Sequence, residues 1–527
     1  VKRVAVTVLL VAACDPSFTF PAPIVSVRVT PDSIALVAGD SVQLSAQAAD
    51  PSGHPIQNVR FVWTSSSDSV ATVSASGLVR TLRPGSVSIT ASADTVKGSA
   101  GVHIAARIVS IGIDQGPILT VLGGSVPFTA FGLDPQGDTL RNRAIVWTSS
   151  DTAVFTVSSG GVVLGRSPGF AKLTAGFDTI RSTVSVGILP AVFQAISAGE
   201  ADHTCGLTTG NLAFCWGAND LGQLGVPSLL LSAVPVASPT FLSFSGIHAG
   251  GTFTCGDIPA DFPWCWGSNF RGRLGVGATP GSSVFPLPVS QAPPLQGLTT
   301  GWNDTCGLHS GQVYCWGENP GAGGAGAVTL TPELLTADSA LVVLDASVGF
   351  VCGLTAGGTP LCWGVNALGQ LGNGMQTPST SPVPLAGGYQ FVGLGGGSGH
   401  ACGLTAAGAA YCWGLNASGQ LGTGDTVSSL VPVPVATALV FKALDAGGTQ
   451  TCALAANSSA YCWGNGVTSP APVSGGLHFR TLTVGDRHVC GLAADGRAYC
   501  WGANEHGQLG DGTLVARAAP TRVVGQQ

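Results

Sequence analysis

The chain has 527 residues, 45% hydrophobic and 9% charged, with 77 glycines, one methionine and a formal net charge of −6. So much apolar content with so little charge excludes a disordered chain, and the dearth of Lys and Glu disfavours long surface helices, which leaves short strands joined by glycine-rich turns. The few basic residues are scattered, without the basic stripe that a nucleic-acid partner needs.

The chain starts Val1-Lys2-Arg3, continues with a mostly apolar run to Ala13, and reaches Cys14. A short basic start, a short apolar core and small residues before a cut describe a secretory signal over 1–13. The run is too short to span a membrane. Leu10-Val11-Ala12-Ala13-Cys14 resembles a bacterial lipobox, which implies lipid attachment at Cys14. An ordinary signal peptide with an incidental Cys is the alternative. Either way the protein is expected to be exported. Residues 14–23 read as a linker.

Residues 24–188 hold an internal repeat. Val62-Trp63-Thr64-Ser65-Ser66 recurs as Val146-Trp147-Thr148-Ser149-Ser150, and Gly77, Val79 and Pro84-Gly85 recur as Gly161, Val163 and Pro168-Gly169. The offset is 84 residues throughout, with no net gap, so two copies of one domain are expected at 24–105 and 106–188. Period-two runs such as Ser86-Val87-Ser88-Ile89-Thr90, broken by turn clusters, predict a small β-sandwich with the Trp between its sheets. The V-W-T-S-S strand, the A-G-D-S-V-Q-L segment and the P-G-x-x-x-I-T-A close resemble bacterial Ig-like group 2 domains. That resemblance implies a stalk or adhesion role.

From 189 to 527 a Cys…Cys-Trp-Gly unit recurs seven times. The pairs are Cys205 with Cys215, Cys255 with Cys265, Cys306 with Cys315, Cys352 with Cys362, Cys402 with Cys412, Cys452 with Cys462 and Cys490 with Cys500. A step near 50 residues points to a propeller or solenoid. The fullest copy runs His400-Ala401-Cys402-Gly403-Leu404-Thr405, then Tyr411-Cys412-Trp413-Gly414, Asn416 and Gly419-Gln420-Leu421-Gly422. These segments resemble the regulator-of-chromosome-condensation repeat, whose fold is a seven-bladed β-propeller. The fold class expected is therefore all-β, a seven-bladed β-propeller preceded by two Ig-like β-sandwich domains.

Hairpin parity sharpens the cysteine reading. In the last repeat the two Cys positions centre the turn on Asp495, giving a three-residue Ala494-Asp495-Gly496 loop. The Cys pair then falls on a non-hydrogen-bonded pair, where Cα atoms approach to about 4.5 Å, within disulfide range. In the third repeat the spacing is one shorter, so the loop becomes Ser310-Gly311 and the facing is kept. Seven cross-strand disulfides are expected in an exported protein, buried free thiols being the alternative. No C-x-x-C motif suggests redox activity or zinc.

The Trp after each second Cys is expected to fill the space between blades, with sugar stacking as the sharper alternative. Two residues before each first Cys stand His203, Phe253, Asp304, Phe350, His400, Gln450 and His488. Hydrogen bonding within the blade is the expected role of the His, rather than metal ligation. Repeats three and six depart: Gly321–Gly326 replaces the G-Q-L-G segment in one, and in the other it is deleted between Gly464 and Pro470.

No catalytic, phosphate-binding or metal motif is present, and no cofactor is expected. The acidic residues, Glu200, Asp304, Asp345 and Asp445 among them, nominate no catalytic pair. The reading is a non-enzymatic, exported, lipid-anchored surface binding or adhesion protein, in which an Ig-like stalk carries a propeller that engages a protein or glycan. It would touch the membrane only through the anchor. A secreted inhibitor or regulator of another enzyme is the alternative, and a polysaccharide-cleaving enzyme the third.

Overall fold

The computed structural model describes residues 23–114, 119–141, 143–227, 229–238, 242–259, 261–277, 281–318, 327–336 and 340–526. The expected signal segment, Cys14 and the Gly321–Gly326 departure lie outside the described residues. Everything regular among the described residues is β-structure, apart from one 3-10 turn at Phe270–Gly272.

The chain divides into two compact units. One holds the residues up to Gly112 with Phe131–Ala144, and the other holds Ile113–Ala130 with Ile145–Gln527. The division runs through the second Ig-like repeat, not between that repeat and the propeller. In the first repeat a long hairpin, Gly85–Ala93 with Val96–Ala105, forms the centre of a four-stranded sheet. Alternation sends Val87, Ile89, Ala91 and Ala93 into the core, as period two requires. Trp63 is half-buried and packs against that core. A Cβ on Gly77, where φ is +84°, would sit 2.9 Å from its ring, so the site needs glycine both for its backbone and for the indole. The 84-residue offset is structural as well: the long hairpin recurs as Gly169–Phe177 with Ile180–Leu189, and a Cβ on Gly161 would meet Trp147 at 2.9 Å.

The propeller has seven four-stranded antiparallel blades, each built from consecutive strands. Their first strands are Phe193–Ala198, Gly246–Ala249, Gln296–Thr300, Leu341–Ala346, Gly393–Gly396, Phe441–Gly447 and Phe479–Val484. No blade borrows a strand from the opposite chain end. The ring closes by packing and polar contacts between the last blade and the first: Arg480 Nη2 donates to the Phe193 and Gln194 carbonyls at 3.1 and 2.8 Å. A buried cluster of Val121, Phe193, Trp216, Leu492 and Val523 fills the seam. Val121 comes from the second Ig-like repeat. Its strand, Leu119–Val121, pairs with Leu231–Ala237, the fourth strand of blade 1, so one eight-stranded sheet runs from sandwich to propeller.

Each second and third strand form the expected hairpin. In blade 7, Leu492 faces Ala498, the Ala493 N–H donates to the Arg497 carbonyl, and Gly496 has φ +81°. In blade 3, His309 faces Gln312 across Ser310 and Gly311, with φ of +52° and +80°, the two-residue turn that suits twisted strands. The cysteines face each other in all seven hairpins and form seven disulfides. Cys205 is bonded to Cys215, Cys255 to Cys265, Cys306 to Cys315 and Cys352 to Cys362. Cys402 is bonded to Cys412, Cys452 to Cys462 and Cys490 to Cys500. The Cα separations are 4.0–4.1 Å throughout, somewhat closer than the spacing expected of a non-hydrogen-bonded pair. Each bridge closes a loop of about eleven residues, worth roughly 3 kcal/mol in the chain-entropy account. Replacing Cys452 and Cys462 by Ser is expected to lower propeller stability by about that amount, read as a shift of the denaturant midpoint. An unchanged midpoint would mean that the bridge constrains nothing.

Candidate functional site

The repeated polar groups of the propeller do most of their bonding between blades. Trp216, Trp266, Trp316, Trp413 and Trp463 are fully buried, and each indole N–H donates to a backbone carbonyl of the preceding blade, that of Gln508, Gln223, Arg273, Gln370 and Gln420 respectively, at 2.9–3.0 Å. These carbonyls belong to the G-Q-L-G segment, or to its Arg273 counterpart in blade 2. Burial at this depth leaves those rings no face for a sugar.

The histidines correct one expectation. His203, His400 and His488 bond across the blade junction rather than within the blade, with Nε2 lying 3.0, 2.8 and 2.7 Å from the hydroxyls of Thr254, Thr451 and Thr204 in the next blade. Each Thr donates its proton onward to the carbonyl of Gln223, Gln420 or Gln508, at 2.9, 3.0 and 2.9 Å. The hydroxyl must then accept from the ring, which places the imidazole proton on Nε2. Nδ1 is left without a partner among the described residues. Burial pushes His203 down to about 4 and His400 and His488 down to about 3, so all three stay neutral. The sequence carries the correlation across repeats, with Phe253 ahead of Thr305 as its exception. Where the next repeat has Val351, Ala401 or Val489 in place of Thr, the ring residue is Asp304, Phe350 or Gln450.

A second belt surrounds the axis. The residue facing the first Cys of each blade is Ser197, His248, Thr299, Asp345, Gly395, Asp445 or Thr483. Four of these side chains accept a backbone N–H from the neighbouring blade: Ser197 from Ala249, Thr299 from Ala346, Asp445 from Val484 and Thr483 from Ala198, at 2.8–3.0 Å. The Asp345 carboxylate lies beside Gly396 of the next blade. The belt is interrupted at two positions. His248 turns to Asp257 at 3.0 Å, and Gly395 has no side chain, so the Ala446 N–H turns to Asp445 Oδ1 at 2.9 Å.

Inside the belt lies a cavity of about 120 Å³ lined by Glu200, Asp345, Asp445 and His248 together with hydroxyls and backbone. That is room for about four waters. No Lys or Arg is among its lining residues. Glu200 is 9% exposed, and its Oε2 has no partner among the described residues. It owes its place to one extra residue in the loop of blade 1: Ser197 precedes Cys205 by eight positions, whereas seven separate Asp345 from Cys352. Burial first, then mutual repulsion, raises Glu200 and Asp345 well above the carboxylate range, and burial raises Asp445 to about 7. Sequence reasoning had these residues only as scattered acids. The signal was their spacing from the first Cys. No group of three or more metal-ligating side chains is close enough to hold an ion among the described residues.

Such an axis, with one hairpin disulfide in each blade, defines a stapled seven-bladed propeller that follows Ig-like structure in the chain. The bacterial Ig-like domain (group 2) matches residues 23–104. The regulator of chromosome condensation (RCC1) repeat matches 193–256, 391–454 and 479–527 through two overlapping profiles. The chain thus carries RCC1 repeats in its propeller and a bacterial Ig-like domain ahead of it. Human WBSCR16 shares the fold at TM-score 0.54 and 20% identity, over 59% of this chain and 94% of that one. Prp20p from Saccharomyces cerevisiae, whose structure was described with its binding properties to Gsp1p and histones, aligns at TM-score 0.54 and 22% identity, over 63% and 87%. Ice-binding protein 1 of Shewanella frigidimarina is 28% identical over 175 residues, 32% of this chain and only 20% of that relative.

The two sets of buried groups pull stability in opposite directions with pH. The histidines bind fewer protons folded than unfolded, so their contribution is intact above about 6.5 and is lost as pH falls toward about 4 for His203 and about 3 for the other two. The carboxylates bind more protons folded. Asp445 therefore costs stability as pH rises from its ordinary 3.8 through about 7. Glu200→Gln removes an unpartnered buried acid and is expected to raise the unfolding midpoint at pH 8 and leave it nearly unchanged at pH 4. His400→Gln is expected to flatten the acid limb instead. Denaturant melts from pH 4 to 8 check both, and equal effects at every pH would refute the assignment.

Proposed function

We propose that this is an exported surface binding protein, anchored through lipid on Cys14, whose propeller presents a protein- or glycan-binding face on an Ig-like stalk. The observation that carries the reading is the disulfide in every blade. Such bridges persist in oxidising compartments. The bacterial Ig-like match and the resemblance to an ice-binding protein support an extracellular binding role in general terms. At most junctions the His, Thr and Trp side chains and the Gln carbonyl of the repeat are taken up by interblade bonds, so recognition falls to the places where repeats differ. The fold itself does not choose a ligand.

Catalysis has no positive support: the axial acids are buried and raised, and are not set as an exposed pair. The partners of Prp20p belong to that protein, and an exported chain carrying a net charge of −6 is not read as a chromatin binder. A secreted inhibitor of another enzyme would form a tight one-to-one complex with a soluble target, whereas a surface adhesin binds weakly and multivalently.

Capture experiments with the whole chain against surface extracts and glycan arrays are expected to return a surface protein or glycan, with avidity that grows on clustering. Release of products from a glycan panel would instead establish an enzyme. Separately, metabolic labelling with a radioactive fatty acid is expected to mark the wild type and not Cys14→Ser. Equal labelling of both, or of neither, would remove the anchor.

A further inference from the structure

At four junctions the loop after the third strand of one blade lies along the fourth strand of the next. The N–H groups of Gly277, Gly374, Gly424 and Gly512 donate to the carbonyls of Leu330, Leu430, Thr468 and Ala233 at 2.8–2.9 Å. The same loops carry the carbonyls that hold the Trp indoles of the next blade. They are seated closely: a Cβ on Gly422 would lie 2.8 Å from the Trp463 ring, and one on Gly419 2.7 Å from the Val467 carbonyl.

Blade 6 has no such loop. Its Gly464 pairs with Val467 across Asn465 and Gly466, whereas Gly414 of blade 5 pairs with Ser429 after a long excursion. The consequences fall on blade 7. Trp501 is 6% exposed where Trp413 and Trp463 are at 0%, and its indole N–H meets no acceptor among the described residues. Ala518 stands where Leu330, Leu430, Thr468 and Ala233 stand, yet it is exposed and they are half-buried. Val489 takes the place of the Thr that would otherwise donate to the loop carbonyl, and Gln450 the place of the His behind it. The hydroxyl and imidazole that would serve the loop are absent together with it, while the Trp501 indole N–H and the exposed Ala518 are left without the loop that meets their counterparts elsewhere.

We propose that this slot between blades 6 and 7 is a docking site for a glycine-rich turn of a partner polypeptide. The turn accepts a hydrogen bond from the Trp501 indole and donates one to the Ala518 carbonyl. The other junctions show what fits: a Gly-Gln-Leu-Gly backbone whose glycines clear the indole and the strand. A second copy of this chain is the poorer donor, because the four described loops of this kind already bond their own neighbouring blades. The proposal rests on the reading of the propeller as a protein-binding module and names the class of partner for it.

The test titrates the full chain with the peptide Asn416–Gly424 of its own blade 5 loop, following Trp fluorescence and heat. Saturable one-to-one binding is expected, weakened about tenfold by Trp501→Phe, the worth of one well-placed hydrogen bond. It should be abolished when the peptide carries Ala in place of the glycine at position 422. Inserting residues 417–427 between Asn465 and Gly466 should fill the slot and abolish binding while leaving the rest of the fold intact, so the test does not depend on a Trp variant that fails to fold. No saturation at millimolar peptide, equal binding of the Ala peptide, or binding unchanged by the insertion would each overturn the proposal. Self-association that the peptide competes away would overturn the choice of partner in favour of a second copy. Should the peptide fail while surface capture succeeds, the slot falls and the surface-binding reading stands.

Discussion

The propeller depends on one interaction made between neighbours: the indole of the Cys-Trp-Gly unit lies buried against the preceding blade and, at five of the seven junctions, donates its N–H to a carbonyl there. The apolar part of the ring supplies most of the energy. A buried Trp removes about 200 Å² from water, of order 5 kcal/mol before entropy is counted. The hydrogen bond adds only about 1 kcal/mol net, but an unpaired indole at this depth would cost more than that, so the bond fixes where the loop must run. A blade cannot satisfy its own Trp. It needs the blade before it, and this makes a ring of otherwise independent sheets cooperative.

Inside this outer seal, the histidine relay and the axial belt repeat the same logic at smaller radius. Each uses a side chain of one blade to satisfy a backbone group or hydroxyl of the next. The disulfides act differently. They lie within hairpins, Cys facing Cys, and stiffen each blade before any neighbour is present. Local staples and non-local seals are therefore complementary. The bridge presets the hairpin, and the Trp, His and axial side chains join blade to blade. The cost falls on the axis, where three carboxylates are buried with no Lys or Arg among the residues lining their cavity, and Glu200 is there because one loop is a residue longer.

The hairpins were legible because strand parity is rigid. Once Gly496 and Ser310-Gly311 set the turns, the facing of each Cys pair follows. The Ig-like repeat was legible because an 84-residue offset without gaps leaves no freedom. The axial belt was hidden because its members differ chemically. Ser, His, Thr, Asp and Gly share a position, and only its distance from the first Cys unites them. The histidine relay was misread for a related reason. A single repeat contains both His and Thr, as His203-Thr204 does, and nothing in one repeat says that the bond skips to the next. The sheet shared by Leu119–Val121 and blade 1 rests on a single pairing, Thr120 with Val236, too short a contact to leave a pattern in the chain.

Symmetry in such a ring carries an obligation: a loop lost from one blade removes a partner from the next. Blade 7 shows a partial accommodation. Val489 has no hydroxyl to satisfy and Gln450 has replaced the relay histidine, so two of the polar groups that would have been stranded are gone. Trp501 has stayed, because its ring still packs between Phe479, Val484 and Val489 and cannot be given up without opening the core. What remains is an indole edge near the surface beside the exposed backbone of Ala518. Phe at this position would keep the packing and drop the donor, so the indole N–H is the polar side-chain group of the junction still without a bond to the blade before it among the described residues.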